Sequence, residues 1–107
     1  MKIFKELNKL GYKHYTEHTV EELDKLPLES KERIMEQSLV LRFFREKYNL
    51  ISSVASIYKD ETRTDFEFWY YIQGYEDEEL FYETYEEAEL DCIKKLIEIV
   101  KTKQIGL

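Results

Sequence analysis

One cysteine, one proline and three glycines stand in this chain of 107 residues, and each scarcity excludes something. Cys92 alone cannot form an internal disulfide, whereas a secreted domain of this size leans on several bridges, so a reducing compartment is expected. Three glycines leave no material for a glycine-rich phosphate loop. No Pro/Ser-rich linker, internal repeat or low-complexity tract breaks the chain. The longest apolar run is about five residues, too short for a membrane span, and the charged start Met1-Lys2-Ile3-Phe4-Lys5-Glu6 does not fit a secretory signal. The expectation is a cytoplasmic protein without a membrane partner. Positive charge is in deficit too: 16 Lys and Arg face 23 Asp and Glu, for a net charge of -7. Affinity for phosphate backbones comes largely from basic side chains, so nucleic acid is not an expected partner.

What is present is apolar and aromatic. Hydrophobic residues make up 43% of the chain, and nine Tyr, six Phe and one Trp give an unusually aromatic composition. That is enough for one core and too little length for two, so residues 1–107 are expected to form one domain.

Ile3, Phe4, Leu7 and Leu10 recur at helical spacing, and Gly11 follows where such a helix would stop. Beyond the polar stretch 12–18, Thr19 and Glu22 have capping-box spacing, and Val20, Leu23 and Leu26 form one stripe up to Pro27. Ser30 offers an N-cap for a long helix over 31–48, with Ile34, Gln37, Leu41, Phe44 and Tyr48 on one face and Val40 and Phe43 widening it. The period then changes to two. Residues 51–58 and 65–73 read as an antiparallel strand pair, and 80–83 as a short third strand. Thr84-Tyr85-Glu86-Glu87 is a capping box for a last helix over 85–103, whose apolar face carries Tyr85, Ala88, Cys92, Ile93, Leu96, Ile97 and Val100. The expected fold is α+β: a three-stranded antiparallel meander with two long helices packed on one face, in the order α-β-β-β-α over 30–103. A short helical extension, residues 1–29, precedes it.

This order resembles the layout of double-stranded-RNA-binding domains, which place both helices on one face of a three-stranded sheet. Those domains carry lysines at the start of the last helix, where this chain has Glu86, Glu87 and Glu89, so RNA binding is not implied. At the level of residues, Leu41-Arg42-Phe43-Phe44-Arg45-Glu46-Lys47-Tyr48 resembles short uncharacterised proteins of Bacteroidetes genomes and their phages. Thr84-Tyr85-Glu86-Glu87-Ala88-Glu89 and Ile93-Lys94-Lys95-Leu96-Ile97 carry the same likeness. It implies an accessory protein of a phage or mobile element, with no catalytic residue or cofactor attached.

Four groups of residues invite a chemical reading. His14 and His18, four apart, would share a helical face and hold two positions of a metal shell, with Glu17, Glu21 or Glu22 nearby. The His-Glu-x-x-His arrangement is absent, since Tyr15 follows His14, and no cysteine lies nearby. Cys92 sits on an apolar helix face, which favours an inert buried thiol over a nucleophile. The acidic run Glu76-Asp77-Glu78-Glu79 lacks the Asp-x-Asp-x-Asp-Gly pattern of a calcium loop and reads as a solvated turn. The aromatic strand is the fourth. If Phe66, Phe68, Tyr70 and Ile72 face the helices, alternation sends Trp69 and Tyr71 to the opposite face, with Tyr58 and Phe81 or Tyr82 extending the patch. Trp and Tyr are enriched at interface hot spots, so this face suits a protein partner or a homodimer seam. Alternatively, the extension folds over it through Ile3, Phe4, Leu7 and Leu10.

The expected function is therefore a non-enzymatic protein-interaction module without a cofactor. The rival is a small ligand- or metal-binding protein or enzyme, with a pocket between sheet and extension lined by Tyr12, His14, Tyr15 and His18.

Overall fold

The computed structural model describes residues 2–59, 61–62, 65–75 and 80–105. Along the chain come α1 (Ile3–Lys9), α2 (Val20–Lys25), α3 (Lys31–Tyr48), β1 (Ser52–Tyr58), β2 (Phe66–Ile72) and α4 (Tyr85–Ile105). The acidic run Glu76, Asp77, Glu78 and Glu79 lies outside the described residues.

The two short helices hold because their ends are satisfied by side chains from elsewhere. A helix leaves its first amides and last carbonyls unpaired, and a short one has little else to stabilise it. Lys2 gives α1 no side-chain cap, so Asp24 of α2 accepts from Phe4 N–H at 2.8 Å and Lys5 N–H at 3.2 Å. At the other end Gly11 takes a positive φ of 102°, which a side chain would resist, and the Leu10 carbonyl accepts from Lys47 Nζ and Tyr48 Oη, each at 2.8 Å. Thr19 and Glu22 form the expected capping box on α2, while Arg33 Nη1 donates to the carbonyls of Leu23, Asp24 and Leu26 at its C-terminus. Ser30 caps α3, which ends at Asn49 in the left-handed region with φ 54°.

β1 and β2 form an antiparallel pair with register Ser52↔Ile72 through Tyr58↔Phe66. The expected third strand is reduced to one bridge: Phe68 and Tyr82 exchange backbone hydrogen bonds of 2.9 and 2.8 Å, and residues 80, 81 and 83 make no ladder. Tyr82 is held there because its hydroxyl donates to Asp91 Oδ2 of α4 at 2.7 Å, and two residues later Thr84 caps that helix by accepting from Glu87 N–H. The chain turns into the helix before a second ladder residue can form.

The layering also differs from the expectation of two helices on the sheet. α4 lies against β1 and β2, α3 packs on α4, and α1 packs on α2 and α4. A helix that packs on a sheet and on other helices needs a broad apolar face, and α4 has one. Ala88, Cys92, Ile93, Leu96, Ile97, Ile99 and Val100 are all buried, whereas Tyr85, expected on the apolar face, is exposed. Ile3, Phe4, Leu7 and Leu10 join the same core cluster. The extension is thus part of the core on the helical side and does not fold over the sheet.

A buried polar chain crosses this core. Arg33 Nε donates to Gln37 Oε1 at 3.1 Å, and Gln37 Nε2 donates to Glu89 Oε1 at 3.3 Å, while the Tyr85 hydroxyl also lies against the Glu89 carboxyl. Burial pushes the Glu89 carboxyl above the ordinary glutamate range. A raised carboxyl contributes stability that is fully present below its unfolded value and lost as pH rises through the folded one. Stability should accordingly fall over that mildly acidic window. Glu89→Gln is expected to flatten this dependence and, at neutral pH, to match or exceed wild type by about 1 kcal/mol, since it removes a buried charge. Urea titrations of both proteins across the window check it; a steeper dependence in the variant would count against it.

Candidate protein interface on the bare sheet face

Register decides which side chains share a face, because a slip of one residue exchanges the two faces. With Ser56 opposite Phe68, even-numbered residues pair with even and odd with odd. Ile72 is buried and Tyr70 packs on the core, so the even face meets α4. The odd face carries Ser53, Ala55 and Ile57 from β1 and Glu67, Trp69 and Tyr71 from β2. Among the described residues α4 is the helix set against the hairpin, on its even face, while Tyr71 and Ile57 of the odd face are exposed.

Trp69 and Tyr71 lie there side by side, ring centroids 5.7 Å apart, as expected for residues two apart on one strand. Tyr71 is 43% exposed and Ile57 50%. Trp69 is half-buried, covered by its neighbours within the sheet. Glu67 adds an acidic rim.

Tyr58 does not belong to this patch. It pairs with Phe66 on the even face, with ring centroids 4.9 Å apart, at the hairpin end away from the core. The misplacement has a physical source: alternation fixes which residues of one strand share a face, but only the register relates two strands. Tyr82 is also on the α4 side, its ring 6.3 Å from that of Tyr70. Phe81, one residue earlier, is 54% exposed and lies outside any ladder. Ile51 and Ile57 take the place on the patch that Tyr58 was expected to fill.

His14 and His18 do not share a helical face, because residues 12–18 are not helical. His18 is held instead between Glu22 and Glu32, its Nε2 against Glu32 Oε2 and its Nδ1 3.6 Å from Glu22 Oε2. The Glu32 contact first, and Glu22 after it, raise the histidine's pKa. Among the described residues no group of three or more His, Cys, Asp or Glu could hold a metal ion. Cys92 is fully buried, and that burial pushes its thiol up to about 12, so it stays protonated.

Of the residues expected to line a pocket between sheet and extension, Tyr12, Tyr15 and His18 meet α3 instead. Glu36, completely buried, accepts from the Tyr12 hydroxyl and from the amides of Tyr15 and Thr16 at 2.8 Å each. Burial, then the Glu36 carboxylate, raise the Tyr12 phenol far above its ordinary value. Tyr12 and Tyr15 border only a shallow hollow of about 210 Å³ against Leu39, Arg42 and Phe43. A larger cleft of about 360 Å³ runs between α4 and Tyr70, Leu80 and Tyr82. Its lysines have acidic neighbours: Lys94 lies 3.8 Å from Asp91, Lys95 3.7 Å from Glu98, and Lys101 pairs with Glu6. That leaves it without the unbalanced charge an anion site needs.

No described helix is long and apolar enough to cross a membrane. No protein-family model, curated protein or solved structure matches the chain.

Proposed function

We propose that the protein is a non-enzymatic interaction module whose contact surface is the odd face of the hairpin, centred on Trp69 and Tyr71. The observation that carries this reading is an asymmetry of cover. α1, α2, α3 and α4 share one core with the even face, while the opposite face presents Trp69, Tyr71, Ile57 and Ala55 to solvent. Adjacent aromatic rings with an acidic rim are the composition of a binding hot spot. A basic partner surface suits the net charge of -7, which speeds encounter and makes affinity fall with salt. The sequence resemblance to phage-encoded proteins would make that partner a host protein.

Two measurements test the reading. Trp69 is the sole tryptophan, so its fluorescence reports this face alone. Trp69→Thr with Tyr71→Thr keeps β-propensity and is expected to cost about 1–2 kcal/mol, as for neighbouring rings on an open sheet face. A loss near about 4 kcal/mol, typical of a core ring, would make the face internal. A photo-crosslinking residue at position 71 should then give one defined protein adduct in cells. The adduct should disappear with Trp69→Thr and be absent when the probe sits at exposed Met35 of α3. Identical adducts from positions 71 and 35 would remove the proposal.

A further inference from the structure

We infer that the free edge of β1 is a self-association seam, at which two copies of this chain pair antiparallel about Val54. The inference rests on reading the hairpin as an interaction element and names a second copy as the occupant of its edge.

The backbone shows which groups are left over. Gln73 N–H donates to the Ile51 carbonyl and Lys59 N–H to the Asp65 carbonyl, which makes 53↔71, 55↔69 and 57↔67 the bonded pairs of the ladder. Phe68, opposite Ser56, turns its N–H and carbonyl away from β1 toward Tyr82. The N–H and carbonyl groups of Ser52, Val54 and Ser56 therefore point out of the sheet, and among the described residues no strand lies beside them. Proteins that must keep such an edge unpaired place charges, proline or a bulge on it. Residues 52–58, Ser-Ser-Val-Ala-Ser-Ile-Tyr, have no charge and no proline, and their register is unbroken.

The sequence of this edge fits itself. A two-fold interface brings residue i against j and j against i, so it needs a surface complementary to its own copy. Ile51-Ser52-Ser53-Val54-Ala55-Ser56-Ile57 reads almost the same in both directions. Pairing about Val54 sets Val54 against Val54, Ser52 against Ser56, Ser53 against Ala55 and Ile51 against Ile57. The outward backbone groups of Ser52, Val54 and Ser56 then make about six hydrogen bonds. Ile51 and Ile57, 43% and 50% exposed in the single chain, meet in the narrow non-bonded pairs where side chains come closest.

A two-fold axis normal to the sheet keeps both odd faces on one side and both α4 helices on the other. The product is a four-stranded sheet, β2-β1-β1-β2, presenting Trp69 and Tyr71 from each copy on one continuous surface. The seam itself is neutral while each chain carries -7, so screening should strengthen the dimer. That is the opposite salt response to binding a basic partner.

Sedimentation equilibrium at micromolar concentrations, at low and high salt, tests the seam. Wild type is expected at twice 13.1 kDa, with the dimer favoured by salt. Val54→Pro removes an outward N–H without touching the β1–β2 ladder and should return the mass to 13.1 kDa with the circular dichroism of a folded chain. Ile57→Glu should weaken the dimer at least about tenfold. Adding Ile51→Lys to it sets an ammonium at position 51 of one copy against the carboxylate introduced at position 57 of the other, and should restore the dimer. This rescue stands even if Val54→Pro fails to fold. A wild-type monomer under all conditions overturns the inference, as does a dimer indifferent to both Val54→Pro and Ile57→Glu. Trp69→Thr with Tyr71→Thr should leave the dimer intact, since both rings lie one strand away from the seam. A dimer lost only in that variant would mean face-to-face packing and would also overturn the seam. Loss of the crosslinked partner from a dimer that persists would place the failure in the proposed function alone.

Discussion

Glu36→Ala is expected to lower the unfolding free energy by about 3–4 kcal/mol, a large share of the roughly 5–15 kcal/mol that holds a domain of this size. The reason is the number of donors that converge on one buried carboxylate. The Tyr12 hydroxyl and the amides of Tyr15 and Thr16 all end on Glu36, and alanine would leave the two amides without that acceptor and the hydroxyl with only the long bond of 3.4 Å to the Glu36 backbone carbonyl. A buried donor left unpaired costs about 1–3 kcal/mol; the two amides are half-exposed and recover part of this from water. Glu36→Gln is expected to be much milder, at about 1–2 kcal/mol, because its carbonyl still accepts from the amides and its NH2 can donate to the Tyr12 oxygen. Denaturant titration gives both values, and hydrogen exchange should show the Tyr15 and Thr16 amides losing protection in the alanine variant. If alanine and glutamine cost the same, the carboxylate is not the anchor of the 12–18 segment.

The second large effect is expected at Phe44. This ring is fully buried on α3, edge-on to Phe43 with centroids 5.3 Å apart and tilted to Tyr48 at 5.9 Å. Its backbone carbonyl also receives the Leu50 N–H, which closes the helix just before β1. Phe44→Ala combines lost transfer energy with a cavity that this junction cannot readily fill, and is expected to cost about 4 kcal/mol. Phe44→Leu keeps most of the volume and should cost under about 1.5 kcal/mol. The measurement is the denaturation midpoint with its slope. A midpoint that falls at constant slope reads as lost stability, whereas an unchanged midpoint would show that the site repacks.

If the two inferences about the hairpin both hold, the domain divides its labour by face. The helical side supplies stability through one core that includes the extension, and the hairpin is spared the need to be covered. A two-stranded sheet has little stability alone, and here α4 lends it one packed face. The other face and the β1 edge then remain available to partners.

Several elements were legible because their signals are local. Thr19 with Glu22, Ser30 before 31–48, and Thr84 before 85–103 mark helix starts by chemistry that acts within one turn, and all three helices begin there. The change of period at residue 51 likewise marks the passage from helix to strand. Other features were not legible, each because it depends on contacts far apart in sequence. Arg33 and Glu36 carry no local signal of burial, yet both are buried: Arg33 closes the end of α2 and Glu36 collects the 12–18 segment. Tyr12, placed in a polar stretch, is core for the same reason. Leu80 to Glu83 had the composition of a strand, but the bond from Tyr82 to Asp91 and the cap at Thr84 draw the chain into α4 after one bridge.

By itself the sequence determined the α+β class, the helix starts, the hairpin and the pairing of Trp69 with Tyr71 on one strand face, since these follow from caps and from periods of 3.6 and two. Tertiary structure alone decided that α4 packs both on the sheet and on α3, that the extension joins the helical core, and that Tyr58 faces away from Trp69. Alternation orders the side chains of one strand absolutely but says nothing of its neighbour. Only the hairpin register, set by how the two strands meet over α4, brought Ile57 rather than Tyr58 to the open face.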